Sequence, residues 1–416
     1  MTDTSKAADG TRRDSRWGDL ERLRRSSPMC DAVIDDVRGR QIRCGDHWLT
    51  DFASCNYLGF DLDPEIMDAI APQVRRWGTH PSWSRLLGSP RLYPQIEERL
   101  TELLGAPDTL VLPTITLIHS SVIPVIVGTG TVFVDAEAHR TVYDGCLMAR
   151  GLGATVKRCH VGDLAELEQL LRAAPADASR LVCVDGVNSM SGNLADLPAL
   201  ARLCRSHDAL LYIDDAHGFG IVGERSPAEL CPYGSRGNSI VRHFSETYDG
   251  IVLVGGFSKA YSSLLAFIAL PTWLKEHLKV AAAPYLYSGP SPTASLATAL
   301  AGFDVNASRG DAIRADLWRR SARVLGHLAA LGIHTPNTSG LPIIEIPLAS
   351  SSDLESVGSF LWDHGVYVTL AAYPLVPRSR VGFRIQVTAA NTDEEIDRLN
   401  ETLSALAERF DLQPQV

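Results

Sequence analysis

Short apolar runs and helical spacings alternate along most of the chain. Thr131-Val132-Phe133-Val134, Leu181-Val182-Cys183-Val184, Leu210–Ile213 and Ile251–Val254 are each apolar on both faces and followed by polar residues. Runs of this kind predict strands buried on both sides. Helical patterns lie between them. Pro64 opens one over Glu65–Trp77, with Ile66, Ile70, Val74 and Trp77 on a single face. Ile96–Leu104 and Leu197–Ser206 are two more. Apolar strands alternating with helices predict an α/β fold, a parallel sheet covered on both faces. In such sheets the chemistry gathers at the carboxyl ends of the strands.

The two ends of the chain read differently. Residues 1–27 predict a mobile arm followed by a short amphipathic helix, Leu20 to Arg25, and strand-like text runs from Ile42 to Cys55. From about residue 300 a long helix (roughly Pro292–Ser308) leads into a second, Leu317–Leu331. Short strands at Ile343–Ile346 and Gly382–Val387 and a closing helix at Glu394–Phe410 follow. These predict a smaller α+β lobe. The expected organisation is an arm and small-domain segment over 1–50, a large domain over 51–300 and a small C-terminal domain over 301–416.

Composition narrows the picture. At 416 residues two lobes are expected, and 45% apolar against 21% charged residues exclude a disordered chain. Lys and Arg number 39 against 49 Asp and Glu, a net charge of −10, which disfavours nucleic acid or an anionic membrane as partner. No stretch reaches the ~18–20 apolar residues of a membrane span. Met1–Arg16 lacks the apolar core of a signal peptide, so a cytoplasmic protein is expected. The 8 cysteines form no C-x-x-C pair and predict buried, reduced thiols with no metal site.

Three strand ends carry candidate chemistry. Asp214 follows one apolar run, Lys259 lies just beyond another, and His139 comes after Val134-Asp135. Taken singly they read as a helix cap, a surface lysine and a capping histidine. Together, an acid, an amine and an imidazole at one edge of a parallel sheet can hold a pyridine aldehyde. The amine forms a Schiff base, the acid keeps the ring nitrogen protonated, and the imidazole stacks on the ring.

From about Asp51 to Ala407 the chain resembles the α-oxoamine synthase family of fold-type I pyridoxal-phosphate enzymes. The matching words are Asn56-Tyr57-Leu58-Gly59, Ser84-Arg85-Leu86, Asp135 with His139, Ser189-Met190-Ser191-Gly192, Asp214-Asp215-Ala216-His217-Gly218-Phe219-Gly220, Ser258-Lys259-Ala260, and Arg384-Ile385 with Thr388-Ala389-Ala390. The resemblance implies a seven-stranded, mostly parallel sheet in a large domain and a smaller α+β C-terminal domain. It implies that Lys259 holds pyridoxal 5'-phosphate and moves protons, and that Asp214 pairs with the ring nitrogen. It implies further that His217 and Ser189 hydrogen-bond the ring hydroxyl and that His139 stacks on the ring. Thr114, Ile115 and Thr116 occupy the family's phosphate cradle at a helix start, with Ser258 beside it. Arg384 would clamp the amino-acid carboxylate in a bidentate fork. Cys55, Asn56, Arg85 and Tyr93 fall at substrate-side positions.

Several positions depart from the family pattern. Cys55 stands for an Asn, Tyr93 for a His, Gly256 for a Thr, Gly289 for a Thr and Asn391 for a His. Gly78-Thr79-His80-Pro81-Ser82-Trp83 replaces a glycine-rich segment, and the glycine pair after Ser-Lys-Ala is gone, the chain reading Tyr261-Ser262-Ser263-Leu264-Leu265 there. The cofactor machinery is kept and the substrate-side walls are rebuilt, as in a specialised synthase with unusual substrates. The implied reaction is decarboxylative condensation of an amino acid with an acyl thioester, on coenzyme A or a carrier protein, to an α-amino ketone. A homodimer is implied as well. Transamination, decarboxylation or aldol-type cleavage could run on the same scaffold. A non-catalytic subunit is disfavoured by the presence of Lys259, Asp214 and His217 together.

Overall fold

A computed structural model describes residues 17–413 except Ala176, Ala228 and Leu230. The arm expected over residues 1–16 lies outside them. The chain divides into two compact units. One comprises the chain through Ser54, Met190–Gly192, and everything from Arg319 on; the other comprises Cys55–Ser189 and Asn193–Trp318.

The first unit opens with the helix Gly18–Ser26, two residues longer at the start than its amphipathic pattern and one at the end. Strands β1 (Asp36–Arg38), β2 (Gln41–Cys44) and β3 (His47–Asp51) then form an antiparallel meander.

The second unit is built on seven strands: β4 (Asp108–Leu112), β5 (Thr131–Asp135), β6 (Thr155–Cys159), β7 (Arg180–Asp185), β8 (Ala209–Asp214), β9 (Ile251–Gly256) and β10 (Ala266–Leu270). Their order is β4-β10-β9-β8-β7-β5-β6. The neighbours from β9 through β6 all pair in parallel, while β10 runs antiparallel to β9 and β4. The four strands legible in the sequence sit side by side in the middle, where both faces are covered and the text is continuously apolar. The edge strand β6 reads Thr-Val-Lys-Arg-Cys and is largely exposed, so it carries no apolar run to recognise. Val132, Val134, Leu181, Cys183, Val252 and Val254 are buried against the helices Ile115–Val127 and Arg140–Gly151.

Helix starts follow their capping residues. Asp63 accepts the Glu65 and Ile66 N–H groups at 3.0 and 3.4 Å, and Pro64 fills the first position, where no donor is needed. The helix expected from Ile96 begins at Leu92, because Pro94 falls in its first turn and costs no hydrogen bond there. The two helices expected on either side of residue 310 are one, Thr293–Ala330. Gly310 does not break it. A Cβ there would lie 2.3 Å from Asn306 Oδ1, which accepts from the fully buried Arg314 at 2.7 Å, so the glycine makes room for that bond.

The first unit is completed by β11 (Ile343–Pro347), β12 (Val366–Tyr367), β13 (Thr369–Ala371) and β14 (Gly382–Gln386). β12 adds to β3 in parallel, and β11-β14-β13 form an antiparallel sheet. The closing helix Asp393–Arg409 starts with a reciprocal cap, Glu395 N–H to Thr392 Oγ1 at 3.2 Å and Thr392 N–H to Glu395 Oε2 at 3.0 Å. Asn391, one of the departures from the family pattern, accepts the Thr388 N–H at 2.9 Å and its hydroxyl at 2.8 Å, tightening the turn before this helix.

Among the described residues no helix is long and apolar enough to cross a membrane, and no cluster of His, Cys, Asp or Glu could hold a metal ion. The eight cysteines lie outside any disulfide; five are buried and Cys30, Cys44 and Cys55 half-buried.

Candidate active site

The carboxyl ends of β5, β7, β8 and β9 converge on a cavity of about 300 Å³ in the second unit. Three of these strands, β5, β7 and β8, end in an aspartate. β8 ends in Asp214, whose Oδ1 accepts the Ala216 N–H at 3.0 Å. Its Oδ2 lies 2.9 Å from His119 Nε2, and His119 Nδ1 lies 2.9 Å from the Tyr212 hydroxyl. Burial would push the Asp214 carboxyl up. Favourable electrostatics and the hydrogen bond from His119, with Lys259 and His139 behind them, instead bring it down to about 2. β7 ends in Asp185, in register with Asp214 on the neighbouring strand. Burial, and then the Asp214 charge, hold this second carboxyl well above the usual range. Two carboxyls at adjacent strand ends are thus shifted in opposite directions.

The other groups arrive on turns and helix starts. His139 caps the helix Arg140–Gly151; its N–H donates to both Asp185 oxygens at 3.0 and 3.1 Å, and its Nδ1 lies 2.8 Å from Thr141 Oγ1. Ser258 and Lys259 follow β9 in a turn closed by the Ser262 N–H on the Lys259 carbonyl at 3.1 Å. Thr114 caps the helix Ile115–Val127, its Oγ1 accepting the Leu117 N–H at 3.3 Å. The Tyr57 hydroxyl sits 2.9 Å from His217 Nδ1, and both side chains are buried.

Nine sequence-predicted positions line this one cavity: Thr114, Ile115 and Thr116 on one helix start, His139 on another, Ser189 after β7, Asp214 and His217 after β8, and Ser258 and Lys259 after β9. Five others do not line it. Arg384 belongs to the other unit, on β14 opposite Glu345, with Nη1 3.8 Å from Met190 Sδ. Cys55 is a half-buried thiol outside any disulfide, and Asn56 donates to Asp61 Oδ2 at 3.1 Å. Arg85 is buried, and its guanidinium donates to Ser89 Oγ, the Val111 carbonyl and Glu97 Oε1 at 3.0, 2.6 and 3.1 Å while stacking on Tyr93. The Tyr93 hydroxyl accepts the Ser291 N–H at 2.7 Å. Arg85 and Tyr93 therefore brace the chain around residues 85–93 from within.

The sequence reading passed over Asp185, His119 and Tyr212. Asp185 carried the same signal as Asp214, a polar residue ending an apolar strand. His119 is the lone ring nitrogen pair in the apolar helix Ile115–Val127, which marks it as unusual. Its partners lie 93 and 95 residues away and could not be read from spacing. Leu264, in the stretch that departs from the family's glycine pair, lines the cavity.

The donor set suits one kind of molecule. An amine, a buried ionised carboxylate, an imidazole beside a strand end, and a hydroxyl-rich helix start together fit a flat ring bearing a carbonyl, a basic nitrogen and a phosphate.

Comparisons with known proteins point the same way. The family described as aminotransferase class I and II matches residues 49–403. The 8-amino-7-oxononanoate synthase of Chromohalobacter salexigens is 35% identical over 356 residues, 85% of this chain and 88% of that one. That of Stutzerimonas stutzeri is 33% identical over 404 residues, 95% of each chain. Among solved structures, a serine palmitoyltransferase of S. paucimobilis with a bound PLP–myriocin aldimine superposes with a TM-score of 0.85 at 22% identity, covering 94% of this chain and 96% of that one. An 8-amino-7-oxononanoate synthase of Francisella tularensis does so with 0.72 at 19%, covering 86% and 98%. At these identities the solved structures speak for the fold.

Proposed function

We propose, for a chain that belongs to the class I and II aminotransferases and within them to the α-oxoamine synthases, that it condenses an amino acid with an acyl thioester. A carbon–carbon bond forms between the amino acid's α carbon and the thioester carbonyl. The carbon–sulfur bond breaks to release a thiol, the carboxylate leaves as carbon dioxide, and a proton takes its place. The product is an α-amino ketone. Bound pyridoxal phosphate supplies the electron sink for charge developing on the α carbon.

The chain's own residues divide the remaining work. Lys259 supplies the amine that anchors the cofactor and carries protons to and from the α carbon. Asp214, ionised, favours a protonated ring nitrogen. His139 covers the ring face, and His217 and Ser189 hydrogen-bond the ring hydroxyl. Backbone N–H groups at Thr114, Ile115 and Thr116, with Ser258, receive the phosphate. Arg384 holds the substrate carboxylate, with Cys55 and Asn56 on the substrate side. Residues 51–300 serve as the cofactor-binding domain, and 1–50 with 301–416 as the smaller one. The working form is a cytoplasmic homodimer.

The observation that carries this reading is Asp214, held down to about 2 in a cavity it shares with Lys259. A panel of amino acids is to be assayed for carbon dioxide release with and without acyl thioesters. Release and free thiol should appear together, in equal amounts, only when both substrates are present. Release that ignores thioester, or amino-group transfer to an oxo acid, would replace the condensation with a decarboxylase or transaminase.

A further inference from the structure

Behind Asp214 stands a pair of side chains for which the roles above have no use. Tyr212 and Asp214 are two residues apart on β8, so their side chains leave the same face of the sheet. The helix Ile115–Val127 packs on that face and sets His119 between them, 2.9 Å from each. All three are buried: His119 and Tyr212 are 0% exposed and Asp214 5%. The imidazole meets the phenol edge-on, with ring centroids 5.7 Å apart.

This geometry fixes the tautomer. Burial, with Cys183 and Asp214 adding to it, holds the Tyr212 phenol well above its usual range, so the hydroxyl keeps its proton. A tyrosine hydroxyl beside an imidazole nitrogen then donates, and His119 Nδ1 accepts. The ring's own N–H is left on Nε2, aimed at Asp214 Oδ2. The Ala216 N–H holds the other oxygen at 3.0 Å. Both carboxylate oxygens are thereby tethered.

Resting on the functional reading above, we infer that His119, with its tautomer set by Tyr212, is a positioning residue that holds the Asp214 carboxylate for the cofactor's ring nitrogen by donating a single N–H. A lysine or arginine at this place would also steady the carboxylate, but its charge would compete with the protonated ring for it. A neutral donor orients the carboxylate and leaves its charge to the ring. The other titratable groups facing Asp214 are Asp185, Asp215, Lys259 and His139, and all four stay in place when His119 is changed.

The test uses the full chain reconstituted with pyridoxal phosphate carrying ¹⁵N in the ring. The ring-nitrogen resonance is followed against pH, and the cofactor's visible band reports loading. In the wild type the ring nitrogen should stay protonated through the whole pH range over which the protein is folded. His119→Leu should lose that proton at least ~1 pH unit lower, because the carboxylate is no longer held in place opposite the ring nitrogen. His119→Asn, which returns an N–H donor, should recover most of the difference. Tyr212→Phe, which leaves the imidazole but frees its tautomer, should fall between. A loaded His119→Leu that titrates like the wild type overturns the inference and leaves the functional reading standing. If that variant does not fold, a Tyr212→Phe protein that titrates like the wild type overturns it equally. A wild type that takes up no cofactor overturns both.

Discussion

Three acids near the sheet edge show how much a residue's surroundings decide. Asp185, Asp214 and Asp215 are all buried, yet only Asp214 is brought below its ordinary range, the other two being held well above it. Asp215 accepts the Ile240 N–H at 3.1 Å through Oδ2, and its Oδ1 has no hydrogen-bond partner among the described residues. Burial raises it, and the Asp214 charge adds to that. An acid that stays protonated in the fold but ionises in the unfolded chain costs stability as pH climbs past its ordinary 3.8. Asp215→Asn removes the ionisation and keeps an acceptor for Ile240. Urea unfolding should find it more stable than the wild type at pH 8, with the gap closing towards pH 4. Parallel pH profiles for the two proteins would contradict this. Lys259→Ala should lower activity by at least ~10²-fold, as expected for a group that moves protons. It should also abolish the cofactor's visible band while leaving the far-ultraviolet circular dichroism unchanged. A variant that kept the band would place the anchoring amine elsewhere.

At the scale of elements, legibility followed burial. The central strands could be read because both their faces are covered, and their polar ends because a polar residue after an apolar run stands out. The braces could not be read. Arg85 looked like a substrate ligand because its three partners, at residues 89, 97 and 111, come together only in the fold. The helix Ile115–Val127 was visible as a phosphate cradle, but its fifth residue, His119, takes its meaning from a strand far along the chain. Thr114 links the two kinds of role, since it caps this helix and also lines the cavity. Thr114→Ala should therefore lower stability by about 1 kcal/mol in chemical denaturation. It should also speed cofactor loss on dialysis. Loss of stability without faster cofactor release would leave Thr114 a cap alone.

For the whole molecule, the surface offers a place for a second copy. Trp83, Leu86 and Leu87 are 53%, 61% and 81% exposed, and Tyr287 is 84% exposed. The Ser84 hydroxyl ties this stretch to the Leu286 carbonyl at 2.7 Å, which brings the four into one apolar patch. Sedimentation should find the wild type at twice the chain mass of 45.1 kDa and Leu87→Asp shifted towards the single chain. A monomeric wild type would remove the dimer from the proposal.

The chain passes between its two units four times, at residues 54, 189, 192 and 318, and one visit is only the three residues Met190–Gly192. Neither unit is therefore a continuous stretch of gene. No single breakpoint separates the two units, and cutting the chain back to residues 55–318 keeps the second unit whole while discarding all but three residues of the first. A change of specificity that leaves both units whole is then made by point changes at cavity-wall positions such as Leu264.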